Sequence, residues 1–166
     1  VAVLDTGIRY THEALAANMW TNEAELNGQI GVDDDGNGMI DDIYGANLIN
    51  NTGAAMDDEG HGTFVAGLIG AVGNNGKGVT GVCWKVKLMA VKVLDAGGGG
   101  SDSDIIAGME YARQMGAKII NASLGRTGGS SPALEDAVTA LSNSGVILVV
   151  AAGNEAYDND FDPAIT

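Results

Sequence analysis

The strongest constraint on the fold is an alternation. Short apolar runs at residues 1–4, 87–94, 117–125 and 145–154 are separated by stretches of helical character. The first run is β-branched and unbroken, which suits a strand covered on both faces of a sheet, and 145–154 is the most apolar of all. Such strands with helices between them predict an α/β fold of three layers, a mostly parallel central sheet flanked by helices. Helices are expected over 11–19, with Thr11 as cap and Glu13 in the first turn, and from Gly60 through "HGTFVAGLIGAV". Two more are expected over 105–115, capped from the serines and aspartates of "DAGGGGSDSD", and over 131–143, with Pro132 in the first turn. The same alternation continues on both sides of that glycine-rich stretch, so it reads as a loop within one domain.

A chain of 166 residues with 45% hydrophobic content can bury one sizeable core. Twenty-two acidic against eight basic residues give a net charge of −14, which argues against a nucleic-acid surface and for a calcium-rich or exported setting. No run is long enough to span a bilayer. Cys83 is the only cysteine, so no internal disulfide can form, and its apolar neighbours predict a core thiol. The chain opens on "VAVLDTG" without an initiator methionine or signal-type segment, and both ends are expected to be cuts in a longer domain.

Three polar groups stand at element ends. Asp5 closes the first strand, at the edge where open parallel sheets collect active sites. His61 opens the helix of "EGHGTFVAGLIGAV", a segment that Ala66, Gly67 and Gly70 make thin enough to pack deep inside a domain. Asn154 follows the last strand. Taken alone, a single histidine here is better explained by helix capping or packing. Taken with the other two, the set offers an aspartate to orient a histidine, a histidine to act as general base near neutral pH, and an amide to donate to an oxyanion. A nucleophile is the missing part.

The acidic loop "VDDDGNGMIDD" places Asp33, Asp35 and Asn37 on alternate positions, with Gly38 permitting a sharp turn, a carbonyl from Met39 and a further carboxylate on Asp41. This is the front half of an EF-hand-like calcium loop, and Ca²⁺ is the expected cofactor. The twelfth position is Tyr44 where a bidentate glutamate would stand, so remaining ligands must come from water, Asp42 or elsewhere. The turn "GNNGKGVTG" lacks the GKS or GKT ending of a phosphate-binding loop and follows a helix, which excludes nucleotide binding by that route.

The segments "VAVLDTGI", "GHGTFVAG", "VKVLDAGGGGS", "IINASLG" and "VVAAGNE" resemble, in order and over nearly the whole chain, the successive blocks of the subtilisin-like serine proteases. The resemblance implies that Asp5 and His61 are triad members and that Asn154 is the side-chain donor of the oxyanion hole. It further implies that Ser123, Leu124 and Gly125 pair with a peptide backbone, with Gly98, Gly99 and Gly100 on the opposite edge. Ala151, Ala152 and Gly153 would line the primary side-chain pocket, with Glu155 at its rim. A polypeptide substrate, a propeptide and a secreted or cell-envelope location are implied in the same way. The family's nucleophile sits in a downstream "GTSMA"-like block, and none of the serines in this chain fits it, so the 166 residues alone are expected to be inactive. The missing part would leave an exposed sheet edge and an apolar patch.

Two departures stand out. Phe64 replaces a histidine common in the family. The 73–81 turn resembles a second calcium loop with Asn75 and the carbonyls of Lys77 and Val79 as ligands, but Ala14 stands where a liganding aspartate is usual, which argues against that site. "LDTG" also resembles the aspartic proteases, which need a second copy and an all-β frame. A metal hydrolase built on Asp57, Asp58, Glu59 and His61 is opposed by three consecutive acids, better read as a solvated cluster. A calcium-stabilised peptide-binding module without catalysis is the alternative from another class.

Overall fold

A computed structural model of the chain describes residues 1–125 and 131–154. The strands are β1 (Ala2–Asp5), β2 (Gly45–Asn47), β3 (Met89–Lys92), β4 (Ile119–Ala122) and β5 (Ile147–Val150). The helices are α1 (Glu23–Asn27), α2 (His61–Gly70), α3 (Asp102–Gln114) and α4 (Pro132–Asn143). All strand pairs are parallel, in the order β2-β3-β1-β4-β5, so every strand delivers its carboxyl end to the same edge.

The unbroken apolar run of β1 is explained by its central place. Leu4 joins Val91, Val93, Ile105, Met109 and Ile120 on the α3 face, while Val3 joins Ile8, Leu15, Val65 and Leu88 on the α2 face. Successive side chains point to opposite faces and both are covered, giving the predicted three layers. Burying each such side chain contributes about 1.5–3 kcal/mol, so β1 anchors the sheet and fixes where Asp5 emerges.

Several local expectations are corrected. Residues 11–19 do not form a regular helix: the His12 carbonyl accepts the N–H groups of Leu15 and Ala16, and a single 3-10 turn follows at Ala16–Asn18. The Asn18 amide donates to the carbonyls of Gly70 and Trp84 and Met19 bridges to Leu88, which draws the chain out of a helical path toward the sheet. Helix α1, which no hydrophobic period announces, is started by Asn22, whose side chain accepts the Ala24 N–H. Cys83 is exposed. The N–H groups of Val82 and Cys83 bond to the carbonyls of Leu68 and Ile69, laying this loop over the end of α2 with its side chains outward.

Helix α2 is buried on one side only. Ala66 and Gly70 are buried, and a Cβ on Gly70 would strike Val86, but Phe64 and Leu68 are 64% and 49% exposed. Among the described strands β5 lies at the edge of the sheet, and Ile147, Val149 and Val150 are half exposed. Among the described residues no helix is long and apolar enough to cross a membrane.

Candidate active site

The site forms where β1 ends. Asp5 is the last residue of the central strand and is fully buried, with its Oδ1 accepting the N–H of Thr6 at 2.8 Å. His61 opens α2, and its Nδ1 lies 2.8 Å from Asp5 Oδ1 and 3.0 Å from Oδ2. The hydrogen bond to Asp5 raises the imidazole pKa above its ordinary value of 6.5, burial opposes it, and the charges of Asp5, Glu59 and Asp57 add to the rise. The sequence requires glycine at two points of this approach. Gly7 turns with φ of +106°, and a Cβ on Gly62 would collide with the Gly7 carbonyl oxygen and reach to 3.1 Å from the Asp5 Cβ.

The acids ahead of His61 are not a loosely solvated cluster. Asp57 Oδ1 accepts the Thr6 hydroxyl at 2.8 Å and the N–H groups of Glu59 and Gly60, while Oδ2 accepts the N–H and hydroxyl of Thr63. Burial pushes the Asp57 carboxyl up, but these donors outweigh it and hold it below the usual carboxylate range. Asp58 pairs at 2.6 Å with Lys92, a buried residue of β3 whose ammonium also donates to the carbonyls of Thr6 and Leu94. Sequence reasoning missed Lys92. Its only signal was a charge inside an otherwise apolar strand, which demands a partner when buried.

His61 and Thr6 share a cavity of about 590 Å³ with Leu94, Gly98, Gly99 and Gly100 on one wall and Ser123, Leu124 and Gly125 on another. Six of the expected substrate-edge residues are thus brought together with His61. Ala151, Ala152, Gly153 and Asn154 do not line this cavity; they lie exposed just past the carboxyl end of β5. Glu155 lies outside the described residues. Among the described residues no serine is hydrogen-bonded to His61.

At the other end of β2 the acidic loop is drawn onto two buried carboxylates. Glu25 accepts the N–H groups of Asp34, Asp35 and Asp41, and Asp42 accepts the amides of Asn22 and Asn37 and the Tyr111 hydroxyl. Burial and the Asp42 carboxylate push the Tyr111 hydroxyl pKa up. Carboxylate oxygens of Glu25, Asp33 and Asp35 converge within 4.8 Å of one another, a hard-oxygen set of the kind that suits a divalent cation. Of the other expected ligands, Asp41 turns its carboxylate to the Gly31 N–H and Asn37 Oδ1 accepts the Met39 N–H. Glu25 was not anticipated, although Asn22 with an acid three residues on is a capping-box spacing that marks the start of α1. In the 73–81 turn Asn75 Oδ1 accepts the Lys77 N–H, and the Lys77 ammonium pairs with Glu13.

Subtilisin-like protease 1 of Plasmodium vivax is 42% identical over 165 residues, 99% of this chain and 26% of that protein. Thermitase of Thermoactinomyces vulgaris is 34% identical, over 93% of this chain and 47% of that protein. The chain therefore spans less than half the length of these relatives. A solved structure described as a cold adapted subtilisin-like serine proteinase superposes with a TM-score of 0.69 at 31% identity, covering 92% of this chain and 45% of that one. The family model of the subtilases, Peptidase S8, matches residues 1–164, and the chain belongs to that family.

Proposed function

We propose that this chain is the part of a subtilisin-like serine endopeptidase that supplies the base, its orienting carboxylate and the substrate edges. The observation that carries the reading is the 2.8 Å contact between the His61 Nδ1 and the buried Asp5 at the carboxyl edge of the sheet. With Nδ1–H donating to the carboxylate, the neutral imidazole keeps its lone pair on Nε2. That atom takes the proton from a serine hydroxyl as the oxygen attacks a peptide carbonyl, and later returns it to the leaving amine. Asn154 donates to the developing oxyanion. The serine comes from chain outside these 166 residues, so the segment alone hydrolyses nothing.

Peptide binds by strand addition between Ser123–Gly125 and Gly98–Gly100, read by its main chain. Ala151, Ala152 and Gly153 line the primary side-chain pocket. A propeptide is a second polypeptide partner, and the protein works outside the cell or in its envelope, in line with a relative named cell wall-associated protease from Bacillus subtilis. Glu25, Asp33 and Asp35 would hold a calcium ion, which would supply structural charge compensation there.

The test compares two gene products on casein and on a serine-directed phosphonate probe. The 166-residue chain stays inert, whereas a product extended through a "GTSMA"-like block cleaves and is labelled, and loses both when His61→Ala is introduced. Undiminished cleavage by the His61→Ala product, or an extended product that neither cleaves nor is labelled, overturns the reading.

A further inference from the structure

We propose that Asp57, acting through Thr6 and Thr63, is the positioning residue that sets the distance between Asp5 and His61. The proposal rests on reading that pair as orienting acid and base. Asp5 belongs to the central strand and His61 to a helix that begins 56 residues later, with the acidic loop and β2 in between. Something must hold the strand end against the helix start to within hydrogen-bond tolerance.

The contacts around Asp57 do this from both sides. Its Oδ1 is bound by Thr6, the neighbour of Asp5, and its Oδ2 by Thr63, two residues past His61. The circuit then closes, because the Thr6 Oγ1 accepts the Gly62 N–H at 3.0 Å and the Thr63 Oγ1 accepts the Arg9 N–H at 2.9 Å. A carboxylate accepts and cannot donate, so Asp57 fixes the direction of the Thr6 hydroxyl: its proton goes to Asp57 and a lone pair faces Gly62. Both threonines thereby span from β1 or its following turn to the first turn of α2.

The first turn of α2 also explains why the carboxylate is needed there. The N-cap is Gly60, which has no side chain to satisfy the orphan donors of the helix start. Those donors are taken by groups from elsewhere: the His61 N–H by Glu59, the Gly62 N–H by Thr6 and the Thr63 N–H by Asp57. The helix is therefore seated by bonds that lead back to β1, and its negative seat suits the positive end of the helix dipole. An asparagine at 57 would turn an NH₂ toward one of these donor groups.

The experiment uses the His61 imidazole as its probe. Imidazole titrations by NMR on the 166-residue chain follow its midpoint. Thr6→Val removes the hydroxyl while leaving the charges of Asp5, Asp57 and Glu59 in place. It is expected to lower the His61 midpoint by roughly half a pH unit or more, toward that of the Asp5→Asn variant, as the raised pKa depends on the contact. Thr6→Ser is expected to restore the midpoint. Thr63→Val and Thr63→Ser repeat the test from the helix side, with cooperative melting identifying folded variants. A raised wild-type midpoint that persists in a folded Thr6→Val or Thr63→Val protein overturns the positioning role alone. A wild-type midpoint no higher than that of Asp5→Asn overturns the paired reading and this proposal with it.

Discussion

His61 carries a pH signature of its own. Its pKa is raised in the folded chain by the hydrogen bond to Asp5, above the 6.5 expected when unfolded. Folding therefore favours the protonated imidazole, and the resulting stabilisation is fully present below about pH 6.5 and fades as pH rises through the folded value. The side chain is 46% exposed, so solvent screens the pair and the effect is modest. In thermal melts, the gap between wild type and His61→Gln should narrow steadily as pH rises above about 6.5 through the folded value. A gap that stays constant over that range would show that Asp5 does not favour the charged ring. The candidacy of both residues was legible in the sequence, because a buried strand ending in aspartate and a glycine-flanked histidine are local patterns. Their contact was not, since 56 residues separate them and only the fold brings them together.

At the scale of the element, α2 separates two roles of glycine that look alike in "GHGTFVAGLIG". A Cβ at Gly62 would collide with the Gly7 carbonyl, a backbone atom that no rotamer can move aside, whereas a Cβ at Gly67 meets nothing within 4 Å. Replacing a helical glycine by alanine gains about 0.8–1 kcal/mol of helix propensity, and overpacking costs about 1–3 kcal/mol or more. Gly67→Ala should therefore stabilise the chain and Gly62→Ala should destabilise it and lower the His61 midpoint. Denaturant midpoints of the two variants check this, and equal shifts in the same direction would contradict it. Strands β1, β3, β4 and β5 and helices α3 and α4 were legible because their periods and caps are local; Ser101, for example, accepts the Asp104 N–H as a cap should, whereas β2 is a three-residue Gly-Ala-Asn strand with no apolar run to announce it. Helix α1 and the loss of helix over 11–19 were not, because Asn18 and Asn22 are committed by distant carbonyls and carboxylates, where tertiary partners outweigh propensity.

The whole molecule carries a net charge of −14, and a concentrated share of it lies in one loop seated on the core. Glu25 and Asp42 are 4% and 0% exposed, and the Glu25, Asp33 and Asp35 oxygens crowd within 4.8 Å. Internal hydrogen bonds partly offset this: the N–H groups of Gly38, Gly36 and Asn37 hold the Asp33 carboxyl below its ordinary pKa, so it stays charged at neutral pH. A divalent cation would relieve the remaining repulsion, and because the site needs α1 and the loop together, only the folded chain can bind it well. Binding to the folded form alone adds about 2.7 kcal/mol when free calcium exceeds its Kd a hundredfold. For a chain of this size that is a rise of roughly 5–10 °C in Tm. Chelation should reverse the rise, and Glu25→Gln should abolish most of it while also lowering the apo melt, because its NH₂ would face the N–H groups of Asp34 and Asp35 or of Asp41. Asp41→Asn is the discriminating control: its carboxylate serves Gly31, so the calcium-dependent part of the melt should survive. Calorimetric melts with calcium, with chelator and with magnesium at equal concentration decide the matter, and a Tm indifferent to all three would remove the cation from this loop.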